Sequence, residues 1–98
     1  MAYTVKSSNE AKADKRNIVT YLSKFSVNAP IRFKQELTRY SKMLVQTPHI
    51  FAVFQAKPKY RHVVIFGSYA MFYTVDEATK TVLIYRIIHG ARDTDNIL

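Results

Sequence analysis

Thr81 to His89 (TVLIYRIIH) is the stretch that most limits what this chain can fold into. Its apolar residues fall on both faces of an extended strand: Val82, Ile84 and Ile88 on one side, Leu83, Tyr85 and Ile87 on the other. A strand that is apolar on both faces needs neighbours on both edges and cover on both sides. The pattern predicts a central strand ended by Gly90. Arg86 interrupts it. A charge at that place must be paired or must face a groove. It reads either as a structural ion pair, with Asp76 or Asp93 as partner, or as an anion site on the open face of the sheet.

The rest of the chain supplies the cover. Ala2 to Lys6 suits a short strand, with Tyr3 and Val5 on one face. Ser7-Ser8-Asn9-Glu10 matches a capping box, with the Ser7 hydroxyl accepting from the Glu10 amide. The helix that follows places Ala11, Ile18, Leu22 and Phe25 on one stripe and Lys12, Lys15, Arg16 and Lys24 on the other. Ser26 to Pro30 breaks it and opens a second helix, with Asn28 or Ala29 at the cap and Pro30 in the first turn. Phe33, Leu37, Tyr40 and Leu44 stripe that helix until Pro48 stops it after Gln46. Two such helices joined by a few residues form a hairpin. Thr47 to Lys59 is an irregular connection whose Ile50, Phe51, Val53 and Phe54 should pack down.

Arg61 to Phe66 and Tyr69 to Val75 read as strands around Gly67-Ser68, a two-residue type II′ turn with Gly first. Asp76 to Lys80 is a polar loop, and Asp93 to Leu98 suits one helical turn. The order is β-α-α-β-β-β with a short terminal α. This is an α+β fold: an antiparallel-rich sheet with a helical hairpin on one face. With 98 residues the chain makes one domain, 1–98, burying roughly two-thirds of its unfolded surface.

Composition removes several functions. There is no cysteine, hence no thiol nucleophile, disulfide scaffold or Cys-ligated metal. His49, His62 and His89 are not spaced as local ligands, and no Gly-rich phosphate loop or nucleophile elbow occurs. No metal and no cofactor is expected. No apolar run approaches the ~20 residues of a membrane span, and Met1 to Asn9 does not resemble a signal peptide. The expected compartment is the cytoplasm, with no membrane partner. Residues 1–75 carry twelve basic and three acidic side chains, whereas 76–98 carry three and four. A basic body of this kind favours an anionic partner.

Two clusters could carry chemistry. Lys57-Pro58-Lys59-Tyr60-Arg61-His62 combines three permanent cations with an aromatic ring and an imidazole, a set able to bind phosphates and stack a base. It also reads as a solvated loop and strand start. Arg86, His89 and Arg92 gather at the end of the last strand. Tyr69, Tyr73 and Tyr85 read as core and cross-strand partners.

Three stretches resemble the RelE/ParE superfamily of toxins from bacterial type II toxin–antitoxin modules. Ser8-Asn9-Glu10-Ala11-Lys12-Ala13-Asp14 is similar to the family's Ser-x-Glu-Ala-x-x-Asp helix opening. Tyr60-Arg61 through Tyr73-Thr74-Val75-Asp76 resembles its hairpin. Ile84 to Asp93 (IYRIIHGARD) resembles the ending of the ParE branch. The resemblance implies a small toxin of a plasmid-stabilisation module, neutralised by a cognate antitoxin and meeting operator DNA only through that antitoxin. ParE-like members inhibit DNA gyrase; RelE-like members cut mRNA on the ribosome.

For the ParE-like reading, Lys57, Lys59, Tyr60, Arg61, Arg86 and Arg92 are the expected target contacts. For the RelE-like reading, Arg61 and Arg92 match basic positions of the family, and His62 or His89 would move the proton. Val63, Ala70 and Leu98 stand where that branch has lysine, arginine and tyrosine. Such losses cost several factors of ten in rate, at about 10²-fold each.

Overall fold

The computed structural model describes residues 2–90 and Leu98. Its elements run β1 (Thr4–Ser7), α1 (Asn9–Ser23), α2 (Asn28–Gln46), β2 (Arg61–Ile65), β3 (Tyr69–Asp76) and β4 (Thr81–His89). The four strands form one sheet in the order β1-β4-β3-β2. β1 lies parallel to β4, and the other pairings are antiparallel. β4 is therefore flanked on both edges, as its two apolar faces require. The helical pair covers one face, giving the expected α+β architecture. The short terminal helix expected from Asp93 lies outside the described residues, apart from Leu98.

α1 begins one residue later than the capping box implied. Ser7 is the last residue of β1, and Ser8 is the N-cap. The Ser8 Oγ accepts from the Ala11 amide at 3.0 Å and donates to the Tyr85 carbonyl at 2.6 Å. One hydroxyl thus caps the helix and pins it to the sheet. Ala11, Ile18 and Leu22 are buried on the predicted stripe. Phe25 is not: it follows the end of the helix, is 70% exposed, and rests edge-on against Tyr21. Val27 at the start of α2 makes no side-chain cap, and Ser26 supplies it instead, accepting from the Asn28 and Ala29 amides.

Phe33, Leu37 and Leu44 of α2 meet Ile65, Met71, Tyr73, Val82, Ile84 and Ile87 of the sheet in the main core. Each large side chain buried there contributes roughly 1.5–3 kcal/mol. In the connection after α2, Phe51 packs against this core while Ile50 stays exposed. A second cluster, Tyr60, Phe72 and Ile88 with Phe54, Ala70, Tyr85 and Leu98, covers the opposite face. Strand β3 shows the division: Tyr69, Met71 and Tyr73 belong to the first cluster, Ala70 and Phe72 to the second.

Two local expectations are corrected. The pairing of β3 with β4 shifts register, Phe72 facing Arg86 and Tyr73 facing Ile84, so β4 carries one extra residue. This bulge reverses the alternation. Ile87, not Ile88, joins Val82 and Ile84 on the helix side, and Ile88 joins Tyr85 on the other. The β2–β3 turn also falls one residue earlier than Gly67-Ser68. Phe66 and Gly67 both have positive φ, 53° and 72°, the pattern of a type I′ turn, and the Ser68 amide donates to the Ile65 carbonyl. The Glu36 carboxylate on α2 accepts the Phe66 amide at 2.8 Å, and Phe66 packs edge-on against Phe33. These contacts hold an aromatic residue in a conformation it ordinarily avoids.

Candidate functional site

The face of the sheet away from the helices is an aromatic platform. Tyr60 and Tyr85 stack with ring centroids 5.5 Å apart and planes 23° apart. His62 stacks on Phe72 at 5.7 Å and 17°, and Phe54 meets both rings edge-on at about 5 Å. The loop before β2 builds the platform's rim. The Phe54 amide donates to the Tyr60 carbonyl, the Lys57 amide to Phe54, and the Tyr60 amide to Lys57. The closed turn leaves the Lys59 ammonium 5.1 Å from the centre of the Tyr60 ring, a cation–π contact. The His62 Nδ1 is enclosed and has no hydrogen-bond partner among the described residues.

Strand alternation divides the cluster that looked continuous in sequence. Tyr60 and His62 face the platform. Arg61 turns to the helix side, where its guanidinium donates to the carbonyls of Phe51 at 2.7 Å and His49 at 3.3 Å. It ties the irregular connection onto the sheet. Nearby, the buried Tyr73 hydroxyl donates to the Pro48 carbonyl at 2.9 Å, and burial pushes its pKa up to about 12. His89 is exposed and edge-on to Tyr69 at 5.4 Å, on the helix side as Ile87 is. His62 and His89 thus lie on opposite faces. Arg92 lies outside the described residues.

Arg86 is paired, and its partner is Asp14 of α1 rather than Asp76. The Arg86 Nε and Nη2 donate to the two Asp14 oxygens at 2.7 and 2.9 Å, a bidentate fork. This bonding raises the pKa of the guanidinium further. Asp14 also accepts the Ile87 amide at 3.0 Å. The reason is topological. β1 ends at Ser7, opposite Ile84, so beyond that point the outer edge of β4 has no strand partner among the described residues. Ser8 and Asp14 take over the hydrogen bonding of that edge.

Asp14 stood out in the sequence only as the last residue of the family's helix opening, not as the partner of Arg86, although a signal for that pairing existed. It lies between Ala11 and Ile18 at spacings of three and four, on the buried stripe of α1. An acid there needs a cation, and Arg86 in a central strand needs an acid. Phe54 and Phe72, which build the platform with His62, had no signal beyond their apolar character.

A two-helix layer on a β1-β4-β3-β2 sheet, with a cationic loop beside an aromatic, largely buried opposite face, defines a class of small α+β folds. The family model of the ParE toxin of type II toxin–antitoxin systems matches residues 5–94. The chain belongs to that family. Its fold is similar to that of a chromosomal ParDE system from P. aeruginosa (TM-score 0.72, 20% identity, 90% of this chain and 96% of that one). It is also similar to the RelBE2 toxin–antitoxin complex from Mycobacterium tuberculosis (TM-score 0.69, 20% identity, 91% and 99%). The intact E. coli RelBE toxin–antitoxin complex gives a TM-score of 0.67 at 17% identity over 93% of this chain and 100% of that one. No curated protein matches in sequence. Among the described residues, no helix is long and apolar enough to cross a membrane.

Proposed function

We propose that this toxin arrests growth by inhibiting DNA gyrase, stabilises the replicon that carries it, and is held inactive by a cognate antitoxin. The observation that carries this reading is the match to the ParE branch over residues 5–94. The disposition of the basic residues supports it. Arg61 holds backbone carbonyls, Arg86 holds Asp14, and the three His are divided among separate places. That arrangement suits a binding surface better than a proton-transfer centre. Lys57, Lys59 and Arg92 make the target contacts, while the buried Tyr60, with Arg61 and Arg86, shapes the surface from behind. With purified gyrase, supercoiling falls at micromolar toxin, and Lys57→Ala with Lys59→Ala weakens the effect. Full supercoiling at that concentration refutes the reading.

The antitoxin has a matching site. A groove of about 450 Å³ between the helices and the sheet has Val5, Leu37 and Ile84 in its floor and Lys12, Lys15 and Lys42 on its rim. An acidic amphipathic segment satisfies both parts.

A second reading is kept because the partly exposed Tyr85 ring, backed by the buried Tyr60 beside Lys59, suits an RNA base near a cation. It makes the protein a ribosome-dependent mRNA endonuclease, in which His62 or His89 moves the proton and Arg61 and Arg92 stabilise the charged phosphorus centre. Cuts inside translated codons, lost in Arg92→Ala, are its signature.

A further inference from the structure

The turn between α1 and α2 exposes apolar surface that the proposed function leaves unused. Tyr21 is 53% exposed, Phe25 70%, Val27 84% and Ile31 50%. Among the described residues two further large apolar side chains are exposed, Ile50 in the connection and Val64 on β2. Scattered apolar residues need no explanation, but four gathered around one turn do.

The turn is closed on itself. The Lys24 amide donates to the Tyr21 carbonyl, the Phe25 and Ser26 amides to that of Leu22, and the Asn28 and Ala29 amides to the Ser26 Oγ. A backbone satisfied from within can leave bulk water at little cost, so the side chains it carries can enter an apolar medium. Phe25 rests edge-on against Tyr21 with centroids 5.0 Å apart, which presents the two rings as one unit.

Charge decides the occupant. From Lys15 to Gln35 the chain has five basic residues and no acidic one. Lys24 precedes Phe25, and Arg32 follows Ile31. Both are exposed, and neither takes part in an ion pair among the described residues. Arg32 lies 5.4 Å from the centre of the Phe66 ring, a contact that leaves its charge unneutralised. A second copy of the chain would set like charges face to face. A protein partner draws its affinity from anchors enclosed in pockets, whereas Phe25 and Val27 stand out on a turn. Protruding apolar side chains flanked by cations match the boundary between acyl chains and anionic headgroups.

We propose that the α1–α2 turn docks this chain on an anionic lipid bilayer. Phe25 and Val27 enter the acyl boundary, Tyr21 and Ile31 lie at headgroup level, and Lys24 and Arg32 meet lipid phosphates. Such a contact lies in the membrane surface and needs no spanning helix. It shares no residue with the groove assigned to the antitoxin and does not rest on the gyrase reading.

The test is co-sedimentation of the isolated chain with unilamellar vesicles at physiological ionic strength. One set is phosphatidylcholine alone, the other equal parts phosphatidylcholine and phosphatidylglycerol. The anionic vesicles should bind the chain at least about tenfold better, and less so as salt rises. Phe25→Ser/Val27→Ser should lower partitioning at least about tenfold, and Lys24→Gln/Arg32→Gln should lower it about tenfold or more. Two controls make the same kinds of change elsewhere. Ile50→Ser/Val64→Ser and Lys6→Gln/Arg39→Gln should each change partitioning less than about threefold. All the exchanged side chains are exposed, and circular dichroism checks that the variants stay folded. Equal losses in a turn variant and its control would trace the attraction to bulk charge or general stickiness and overturn the proposal. So would absence of binding to the anionic vesicles. In that event sedimentation velocity identifies the other occupant: a dimer lost in Phe25→Ser/Val27→Ser assigns the turn to a second copy, and a monomer leaves it to an acidic protein partner.

Discussion

At the scale of single residues, Asp14 has the largest consequences. Its carboxylate satisfies the Arg86 guanidinium and the Ile87 amide together, and both members of the ion pair are mostly shielded from water. Asp14→Ala leaves a charge and an edge amide without partners. It should cost about 2–4 kcal/mol in denaturant unfolding, since unpaired buried charges and donors are expensive. Arg86→Met in the same chain should recover part of that loss, because the orphaned charge goes with it. Tyr73 is the second such residue. Its pKa is raised to about 12 by burial, against an ordinary value of 10.0. The folded state keeps the proton longer than the unfolded one. The corresponding stability is complete below pH 10 and is lost as pH rises from 10 toward 12. In Tyr73→Phe that alkaline loss should flatten, and the unpartnered Pro48 carbonyl should cost about 1–2 kcal/mol at neutral pH.

At the scale of elements, the places where helix and turn meet the sheet decide the geometry. Ser8 is both helix cap and edge partner of β4, so Ser8→Ala should lower stability by about 1–2 kcal/mol. The helix should unravel from its start, which amide exchange at residues 9–12 would report. The β2–β3 turn makes a contrasting case. A Cβ on Gly67 would meet nothing within 4 Å, yet its φ of 72° disfavours any side chain. Gly67→Ala should therefore cost about 1 kcal/mol through the backbone alone, without loss of packing. Periodicity revealed these elements because apolar stripes repeat every three to four residues in α2 and every two in β3. It could not place the bulge in β4, since a single extra residue between Ile84 and Ile87 leaves no local mark in an apolar run. Nor could it choose between Phe66-Gly67 and Gly67-Ser68 as turn centre. That choice rests on Glu36 and Phe33, some thirty residues away.

At the scale of the whole molecule, one exposed carboxylate joins distant parts of the chain. Glu77 accepts from the Tyr3 hydroxyl at 2.8 Å, from the Lys80 ammonium at 3.1 Å, and contacts the His49 ring at 2.6 Å. The Tyr3 bond, followed by those of Lys80 and His49, lowers its pKa from 4.5 to about 2. Its folded-state pKa lies below the unfolded one. Its contribution is therefore present above pH 4.5 and is lost as pH falls toward 2. The melting temperature of Glu77→Gln should vary less with pH across that acid window than that of the parent. The same scale explains the candidate site. The basic stretch 57–62 was legible as cationic and aromatic, and Lys59, Tyr60 and His62 do come together with the platform. Arg61 leaves it because adjacent residues of a strand face opposite ways.

The amino-acid sequence by itself determined the order of elements, the α+β class, the two-faced character of β4 and the family resemblance. All of these follow from short-range periodicity, from turn and cap residues, and from local motifs. Only the tertiary structure decided the partner of Arg86, the side on which Ile87 and Ile88 lie, and the tying of Arg61 to the connection. These depend on contacts between residues as far apart in the chain as Asp14 and Arg86. Burial and hydrogen-bond satisfaction select such contacts only once the helices have docked on the sheet.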